Sequence, residues 1–274
     1  MLELTIPVVF AIFIWWFSTG LILLLDGLPK TTFRWSIFLS SGLTLLALLG
    51  LNHTASQTSA VGAYCAFTSA LLVWGWHELT FLTGWLTGPR KAALDPGSSP
   101  NRRFRQAVDA ILWHELGIIA GGLLIIAITW REPNQVGTWT FLVLWVMRTS
   151  AKLNLFFGVR NLSEEFLPDH LIYMGSYFRK RPMNWFLPLA VLLSSIALGF
   201  MLTSALDPGA TPAQTVGLLL VSTLLARAIR EHLLLVLPLP STALWRWALR
   251  NREPRAISPE TDKAPLNEDY LHAR

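Results

Sequence analysis

The stretch TIPVVFAIFIWWFSTGLILLLD, residues 5–26, carries no charged side chain before Asp26, its last residue. An α-helix rises about 1.5 Å per residue, so a run of this length can cross a hydrocarbon core about 30 Å thick. The run is longer than the apolar core of a signal peptide, and Glu3 stands where such a peptide carries basic residues. We therefore predict a retained membrane helix.

The composition extends this prediction to the whole chain. Of the 274 residues, 53% are hydrophobic and only 14% are charged, whereas a soluble domain carries roughly a quarter charged residues. The single cysteine, Cys65, excludes a disulfide-stapled domain. Six further apolar runs are long enough to span, at 35–52, 61–86, 107–130, 137–158, 183–205 and 213–236. The predicted fold class is all-α: a polytopic membrane helix bundle of about seven transmembrane helices.

The lysines and arginines between these runs predict the orientation. The loops at 52–60, 131–136 and 206–212 contain only Arg131, whereas the alternate loops and the tail hold most of the 22 Lys and Arg residues. Cytoplasmic loops are enriched in these residues, so we expect the N-terminus outside and the C-terminus in the cytoplasm, which requires an odd number of spans. No nucleic-acid-binding motif accompanies the basic charge, and we expect no nucleic-acid partner.

We divide the chain into one transmembrane helical domain, residues 1–240, and a cytoplasmic polar tail, residues 241–274. Within the domain, residues 160–181 mix apolar and charged side chains, which predicts a helix lying in the membrane interface. Residues 88–103 predict a flexible cytoplasmic loop. Tryptophans near the predicted helix ends are typical of an aromatic belt at the membrane surfaces: Trp35, Trp85, Trp130, Trp139, Trp185, Trp245 and Trp247.

Ionisable side chains within the spans are the sequence's main functional signal. The tetrapeptide Trp-His-Glu-Leu occurs at 76–79 and again at 113–116. An ionisable residue inside a span costs about 2.5–3.5 kcal/mol, so it needs a partner or a purpose. The set is His77, Glu78, His114, Glu115, Arg148, Lys152, Arg227, Arg230, Glu231 and His232. With the predicted topology, the three histidines and both Glu78 and Glu115 fall in the cytoplasmic half of the membrane.

This cluster allows two interpretations. In the first, the imidazoles of His77, His114 and His232 bind a chlorophyll magnesium or a metal ion. Glu78, Glu115 and Glu231 are then candidate metal ligands. Adjacent His and Glu side chains point about 100° apart on a helix, so such a site must be assembled between helices.

In the second interpretation, the same carboxylates form an intramembrane charge network that binds no ligand. Their partners are Arg148, Lys152 and Arg230, and Arg227 shares a helix face with Glu231. No residue is assigned a catalytic role, because general acid–base chemistry needs a pocket that one sequence does not show.

Three long stretches resemble the photosynthetic complex assembly protein PuhE family of purple phototrophic bacteria. They are FIWWFSTGLILLLDGLPKTTFRWS at 13–36, WGWHELTFLTGWLTGPRK at 74–91 and SAKLNLFFGVRNLSEEFLPDHLIYMGSYFR at 150–179. The resemblance implies a multi-pass protein of the bacterial cytoplasmic (photosynthetic) membrane, encoded near the reaction-centre H subunit. It also implies a role in assembling the reaction-centre–light-harvesting 1 core and a link to bacteriochlorophyll supply.

The function we expect is therefore an integral membrane assembly factor for this core complex, one that holds bacteriochlorophyll or modulates its supply. Its expected partners are membrane lipid and reaction-centre and light-harvesting 1 subunits or other assembly factors. The alternative is a membrane enzyme with an intramembrane His/Glu metal site that acts on a pigment or lipid-like substrate. The expected cofactor is accordingly bacteriochlorophyll or a metal ion.

Overall fold

The computed structural model describes residues 2–237 together with residues 245, 247 and 248. Within this part of the chain every regular element is helical, and the single β-bridge joins Val159 to Lys180. The seven long helices are α1 (Leu2–Asp26), α2 (Phe33–Thr54), α3 (Ala60–Leu82), α4 (Pro100–Ile128), α5 (Val136–Phe157), α6 (Phe186–Ala205) and α7 (Pro212–Leu234). Each of the seven apolar runs overlaps one of them. The all-α class is confirmed.

Local sequence signals explain where several helices begin. The Ser59 side chain accepts a hydrogen bond from the Gly62 amide at the start of α3, and Ser99 does the same for Arg102 at the start of α4. A side-chain acceptor at this position satisfies one of the first free N–H groups of a helix. Helix α4 consequently begins at Pro100, well before the predicted start at residue 107. Helix α7 begins with a capping box formed by Thr211 and Gln214.

Five helical segments are long and apolar enough to cross a membrane: Leu4–Asp26, Lys30–Thr54, Pro100–Ile128, Phe186–Ala205 and Pro212–Leu234. They turn large apolar side chains outward, most clearly on α2 and α6. Phe38 on α2 is 70% exposed and Phe200 on α6 is 71% exposed. Such faces are unfavourable in water and suited to lipid. The protein is thus of the multi-pass membrane type.

Helix α3 lies at the centre of the bundle. Fifteen of its 23 residues are buried, and it packs against α1, α2, α4, α5 and α7. One apolar cluster joins Val73 and Trp74 to Ile118 on α4 and Phe141 on α5. A second joins Phe67 to Ala11 on α1 and Leu220 on α7. Because α3 is interior, it can carry the polar pair His77 and Glu78 that a lipid-facing helix could not.

The loop after α3 and the segment after α5 pack together into a cap at one end of the bundle, which we define as residues 83–99 and 158–185. Arg90 Nε donates to the Tyr177 hydroxyl at 2.8 Å, and that hydroxyl donates to the Ala92 carbonyl at 2.8 Å. The Leu94 amide donates to Ser176 Oγ at 2.9 Å. The two segments assigned separately from the sequence therefore form one unit.

The segment 160–181 contains two 3₁₀-helices, Glu164–Phe166 and Asp169–Tyr177, and no α-helix. Ser163 adopts a left-handed backbone at φ 54°, and Pro168 precedes the second helix. Both features interrupt an α-helical path. Leu171, Met174 and Tyr177 point inward and are buried, so this face belongs to the protein core.

Most of the predicted tail, residues 241–274, lies outside the described residues. Trp245 is described and is only 7% exposed. Its ring lies 5.2 Å from Trp15, and its Nε1 donates to the Trp16 carbonyl at 3.3 Å. The expectation that Trp245 belongs to a lipid-facing belt is therefore wrong, because the ring packs against α1. Trp35, Trp85, Trp130, Trp139 and Trp185 are all highly exposed near helix ends, as the belt requires.

Candidate functional site

A cavity of about 850 Å³ opens between α1, α3, α4, α5 and α7. Apolar side chains such as Ile22, Leu71 and Val143 form most of its wall. Leu162, Phe166 and other residues of the cap close one end. Small-molecule sites are concave, mostly apolar and of roughly 300–1,000 Å³. We refer to this space as the central cavity.

The charged residues predicted within the spans gather on the wall of the central cavity. All seven line it: Glu78, Glu115, Arg148, Lys152, Arg227, Arg230 and Glu231. Glu231 lines this space, and 47% of its side-chain surface is accessible. Helices α3, α4, α5 and α7 therefore bring together charged residues that are spread over residues 78–231 of the sequence.

Three ion pairs organise these charges. Arg148 Nη2 donates to Glu78 Oε2 at 3.0 Å, which joins α5 to α3. Lys152 Nζ donates to Glu115 Oε1 and joins α5 to α4. Arg148 and Lys152 are one helical turn apart, so α5 offers one cation to each copy of the Trp-His-Glu-Leu sequence.

The third pair lies within α7. Arg227 Nη2 donates to Glu231 Oε1 at 2.8 Å, at the i, i+4 spacing expected from the sequence. The Arg227 guanidinium also lies 3.3 Å from the centre of the Trp15 ring. This cation–π contact anchors α7 to α1 and is worth roughly 0.5–2 kcal/mol. Arg230 was proposed as a partner of a carboxylate, and it forms no ion pair with any residue that the structure describes.

His77 has both ring nitrogens against backbone carbonyls. Nδ1 lies 2.8 Å from the Val73 oxygen and Nε2 lies 3.0 Å from the Gly117 oxygen. Gly121 allows this approach, since a Cβ there would come within 2.7 Å of the imidazole. The ring thus fastens α3 to α4 and presents no free nitrogen to the central cavity.

His114 is completely buried and stacks on Phe81, with ring centroids 4.3 Å apart. Neither ring nitrogen has a hydrogen-bond partner in the described part of the protein. The ring does not line the central cavity. An imidazole in this position packs as a flat, largely apolar side chain between α3 and α4.

His232 is the histidine of the three that lines the central cavity. Its Nδ1 lies 2.9 Å from the Ala228 carbonyl, and its Nε2 lies 2.9 Å from Ser150 Oγ. A carbonyl only accepts, so Nδ1 is the donor. In the neutral ring Nε2 then carries the lone pair and accepts from the Ser150 hydroxyl.

The structure does not assemble the predicted ligands into one centre. Among residues 2–237, 245, 247 and 248, no group of three or more His, Cys, Asp or Glu side chains is placed to hold a metal ion. Each carboxylate lies against a cation. His77 and His114 lie between α3 and α4 in separate contacts, whereas His232 lies between α7 and α5. The charged side chains surround an apolar space, and they do not converge on a single metal-binding position.

Two features of the site were not predicted from the sequence. The first is the central cavity itself, which leaves no local signal in the sequence. The second is the role of Trp15 and Thr149, which line it beside Arg227 and Arg148. Of the tryptophans flanking the predicted cluster, Trp74 lines the cavity, whereas Trp113 is 51% exposed on the outside of the bundle.

Comparison with known proteins gives two matches. A family model described as "Protein of unknown function (DUF3623)" matches residues 1–256. The chain is also 38% identical over 264 residues to a Rhodobacter capsulatus protein named "Uncharacterized 30.4 kDa protein in puhA 5′region", covering 94% of this chain and 96% of that protein. No solved structure matches the chain.

Proposed function

Since this chain belongs to the DUF3623 family, we propose that it is an integral membrane assembly factor for the photosynthetic reaction-centre–light-harvesting 1 core. In this proposal it holds bacteriochlorophyll or a precursor in the central cavity until delivery. The name of the Rhodobacter capsulatus relative refers to the puhA 5′ region. This agrees with the gene neighbourhood, near the reaction-centre H subunit, that the resemblance to PuhE implies.

The proposed placement is the bacterial cytoplasmic membrane, with all seven long helices as spans, the N-terminus outside and the C-terminus in the cytoplasm. Helices α3 and α5, which are not among the five apolar segments, complete the set. Their charged side chains turn toward the central cavity and toward each other, so they need not meet lipid. Lipid is then the partner of the outer faces of α2 and α6.

The observation that carries the proposal is the central cavity. A space of about 850 Å³ with apolar walls, inside a membrane bundle, suits a large apolar cargo better than an ion or a small polar substrate. Interior packing normally leaves few voids larger than a water molecule. The central cavity is much larger than such voids and is partly open to its surroundings, so a large ligand can enter it.

Within the cavity, His232 is the candidate axial ligand for a pigment magnesium. The residue lines the cavity, and its Nε2 carries the lone pair and accepts a hydrogen bond from Ser150. That serine hydroxyl can rotate away, whereas the two nitrogens of His77 face carbonyls that cannot. Bound bacteriochlorophyll would supply the magnesium. The protein's part is to hold and shield it.

The cap is the proposed contact surface for core-complex subunits or other assembly factors. It contains the basic loop around Arg90 and the segment 160–181, joined by the hydrogen bonds of Tyr177. On the predicted topology it faces the cytoplasm and also closes the cavity. Partner contact and cargo release would then occur at the same place.

The proposal is tested by deleting the gene in its phototrophic host and restoring it with variants. Deletion should lower core-complex absorbance while total membrane protein stays constant. Wild type and His53→Ala, a substitution on the exposed end of α2, should restore it, and His232→Ala should not. Purified wild-type protein should carry a chlorophyll-type absorbance that His232→Ala loses. Normal core levels in the deletion strain would exclude the function.

Metal analysis of the same preparation tests the enzyme alternative. Zinc or iron at about one ion per chain, lost on substitution of Glu78 or Glu115, would favour a metalloenzyme over a cargo-holding protein.

A further inference from the structure

The wall of the central cavity carries one more cation than anion. Its cations are Arg148, Lys152, Arg227 and Arg230, and its carboxylates are Glu78, Glu115 and Glu231. Three of the cations are neutralised in the ion pairs described above. Glu231, the sequence neighbour of Arg230, is already bound by Arg227. Among the described residues, Arg230 is therefore the cation of this wall that forms no ion pair.

Arg230 is an exposed residue that also lines the cavity, so its guanidinium is accessible to a ligand. The planar guanidinium offers N–H groups in a fork that matches a carboxylate or a phosphate. Most residues on the cavity wall are apolar and provide no opposite charge for it. The missing partner is an anion, and the cavity has the space to admit one.

Several buried polar atoms at the same wall also lack a partner among the described residues. They are Glu78 Oε1, Thr149 Oγ1 and Arg227 Nε. Glu78 as a residue is only 9% exposed, yet it lines the cavity together with Thr149. Buried polar atoms in native proteins are almost always satisfied. These atoms call for a ligand with oxygen acceptors and a donor group at its polar end.

We propose that the central cavity binds an anionic amphiphile. Its single carboxylate or phosphate lies at Arg230, and its apolar body lies along the wall formed by α1, α3 and α4. This inference rests on the proposed function, in which the cavity holds a ligand. It adds the chemical class of that ligand. Two sources supply this chemistry: a pigment precursor whose acid group is not yet esterified, and an anionic lipid from the surrounding membrane.

The apolar part of the wall suits the body of such a ligand. Ile22 on α1, Leu71 on α3 and Ile111 on α4 line the cavity, and the Trp15 and Trp74 rings add flat surfaces. Burial of apolar surface is favourable in proportion to the area removed from water, so the body supplies most of the affinity. The head group then decides between ligands of similar shape, because only one that brings a negative charge compensates Arg230.

The test compares an acid with its neutral ester. The protein is purified into nanodiscs of phosphatidylcholine, and binding of pheophorbide a and of its methyl ester is measured by fluorescence. Both probes lack magnesium, so ligation by His232 does not enter. The acid should bind at least about tenfold more tightly than the ester, a difference of about 1.4 kcal/mol.

Three variants test whether Arg230 causes the preference for the acid over the ester. Arg230→Gln should bring acid and ester to within about twofold of each other, whereas Arg230→Lys should retain the preference for the acid. Arg105→Gln is the matched control, because Arg105 is an exposed arginine on helix α4 that does not line the cavity. Equal binding of acid and ester by the wild type would overturn the inference, as would an unchanged preference in Arg230→Gln.

A competition arm separates the two sources. If phosphatidylglycerol displaces the acid from Arg230-containing protein and phosphatidylcholine does not, the natural anion is a lipid. If neither lipid displaces it, the anion is a pigment-type acid. Either result supports the proposal that the ligand is anionic. Binding of neither probe to wild-type protein would contradict the proposed holding function itself, whereas tight binding of the ester alone would contradict only the present inference.

Discussion

The two cross-helix ion pairs show how single residues determine the packing of this bundle. Glu78 and Glu115 occupy the same position in the two Trp-His-Glu-Leu copies, and their partners Arg148 and Lys152 lie one turn apart on α5. An ion pair inside a membrane bundle contributes little net stability, but leaving one member unpaired is costly. The pairs therefore act mainly by fixing the rotation of α5 relative to α3 and α4.

This cost predicts an asymmetry between single and double substitutions. Lys152→Met leaves Glu115 unpaired and should lower the free energy of unfolding by about 2–3 kcal/mol. The double variant Glu115→Gln/Lys152→Met removes both charges and should recover much of that loss. Thermal unfolding in detergent, followed by tryptophan fluorescence, measures the difference.

Lys91→Met, an exposed position of the cap, is the control and should unfold like the wild type. A double variant at least as unstable as the single one would contradict this account of the pair.

At the scale of elements, the loop between α3 and α4 is held in one conformation by Asp95. Its carboxylate accepts hydrogen bonds from Arg90 at 2.6 Å, Arg102 at 2.8 Å and Gln106 at 2.7 Å. This loop was expected to be flexible. That expectation rested on its Gly and Ser content. The contacts that order the loop come from nearby residues of the loop and α4 and from Tyr177, which is distant in sequence.

The order of this loop should depend on pH. The hydrogen bond from Arg90 holds the pKa of the Asp95 carboxyl below its usual value of about 3.9. A carboxyl whose pKa is lowered by folding stabilises the folded loop above the usual value, and this stabilisation is lost as the pH falls through the lowered pKa. Cleavage of residues 88–99 by pepsin should therefore accelerate as the pH falls from about 4 to about 2.

The matched variant is Asp95→Asn, which cannot ionise. Its loop should be cleaved quickly at every pH in this range. The pH dependence of pepsin itself is measured on an unfolded reference peptide, and both cleavage profiles are corrected for it. Equal cleavage profiles for the wild type and the variant would show that Asp95 does not order the loop.

At the scale of the molecule, the cap and the loops at the other end should lie on opposite sides of the membrane. The basic residues concentrate at the cap end, which the positive-inside rule assigns to the cytoplasm. The part of the chain that the structure describes contains seven long helices, α1 to α7. If all seven cross the membrane, the two chain ends lie on opposite sides.

Cysteine labelling tests the orientation. In a Cys65→Ser background, Ser56→Cys between α2 and α3 should react with a membrane-impermeant maleimide in intact spheroplasts. Ala92→Cys in the cap should react only after the membrane is opened. Both positions are exposed, so lack of reaction is not caused by burial.

The reverse labelling pattern would invert the proposed topology, and reaction of both positions in intact cells would contradict a membrane between them. Each variant must first restore the core complex in the deletion strain.

Some of this protein is determined by the sequence alone, because hydrophobic length and the exclusion of charge from lipid are local properties of a segment. The seven apolar runs correspond to the seven long helices, and residues such as Glu78 and Lys152 stand out as soon as they fall within such runs. Helix ends were less predictable, as at Pro100, because a capping side chain can extend a helix beyond its apolar part.

Only the tertiary structure decided which charges meet and which histidine faces a cavity. His77, His114 and His232 look equivalent in the sequence. In the structure, His77 lies between two backbone carbonyls, His114 is buried against Phe81, and His232 lines the central cavity. These differences depend on how each helix is rotated and how closely its neighbours approach. Rotation and approach are set by packing between segments far apart in the chain, so no local pattern could reveal them.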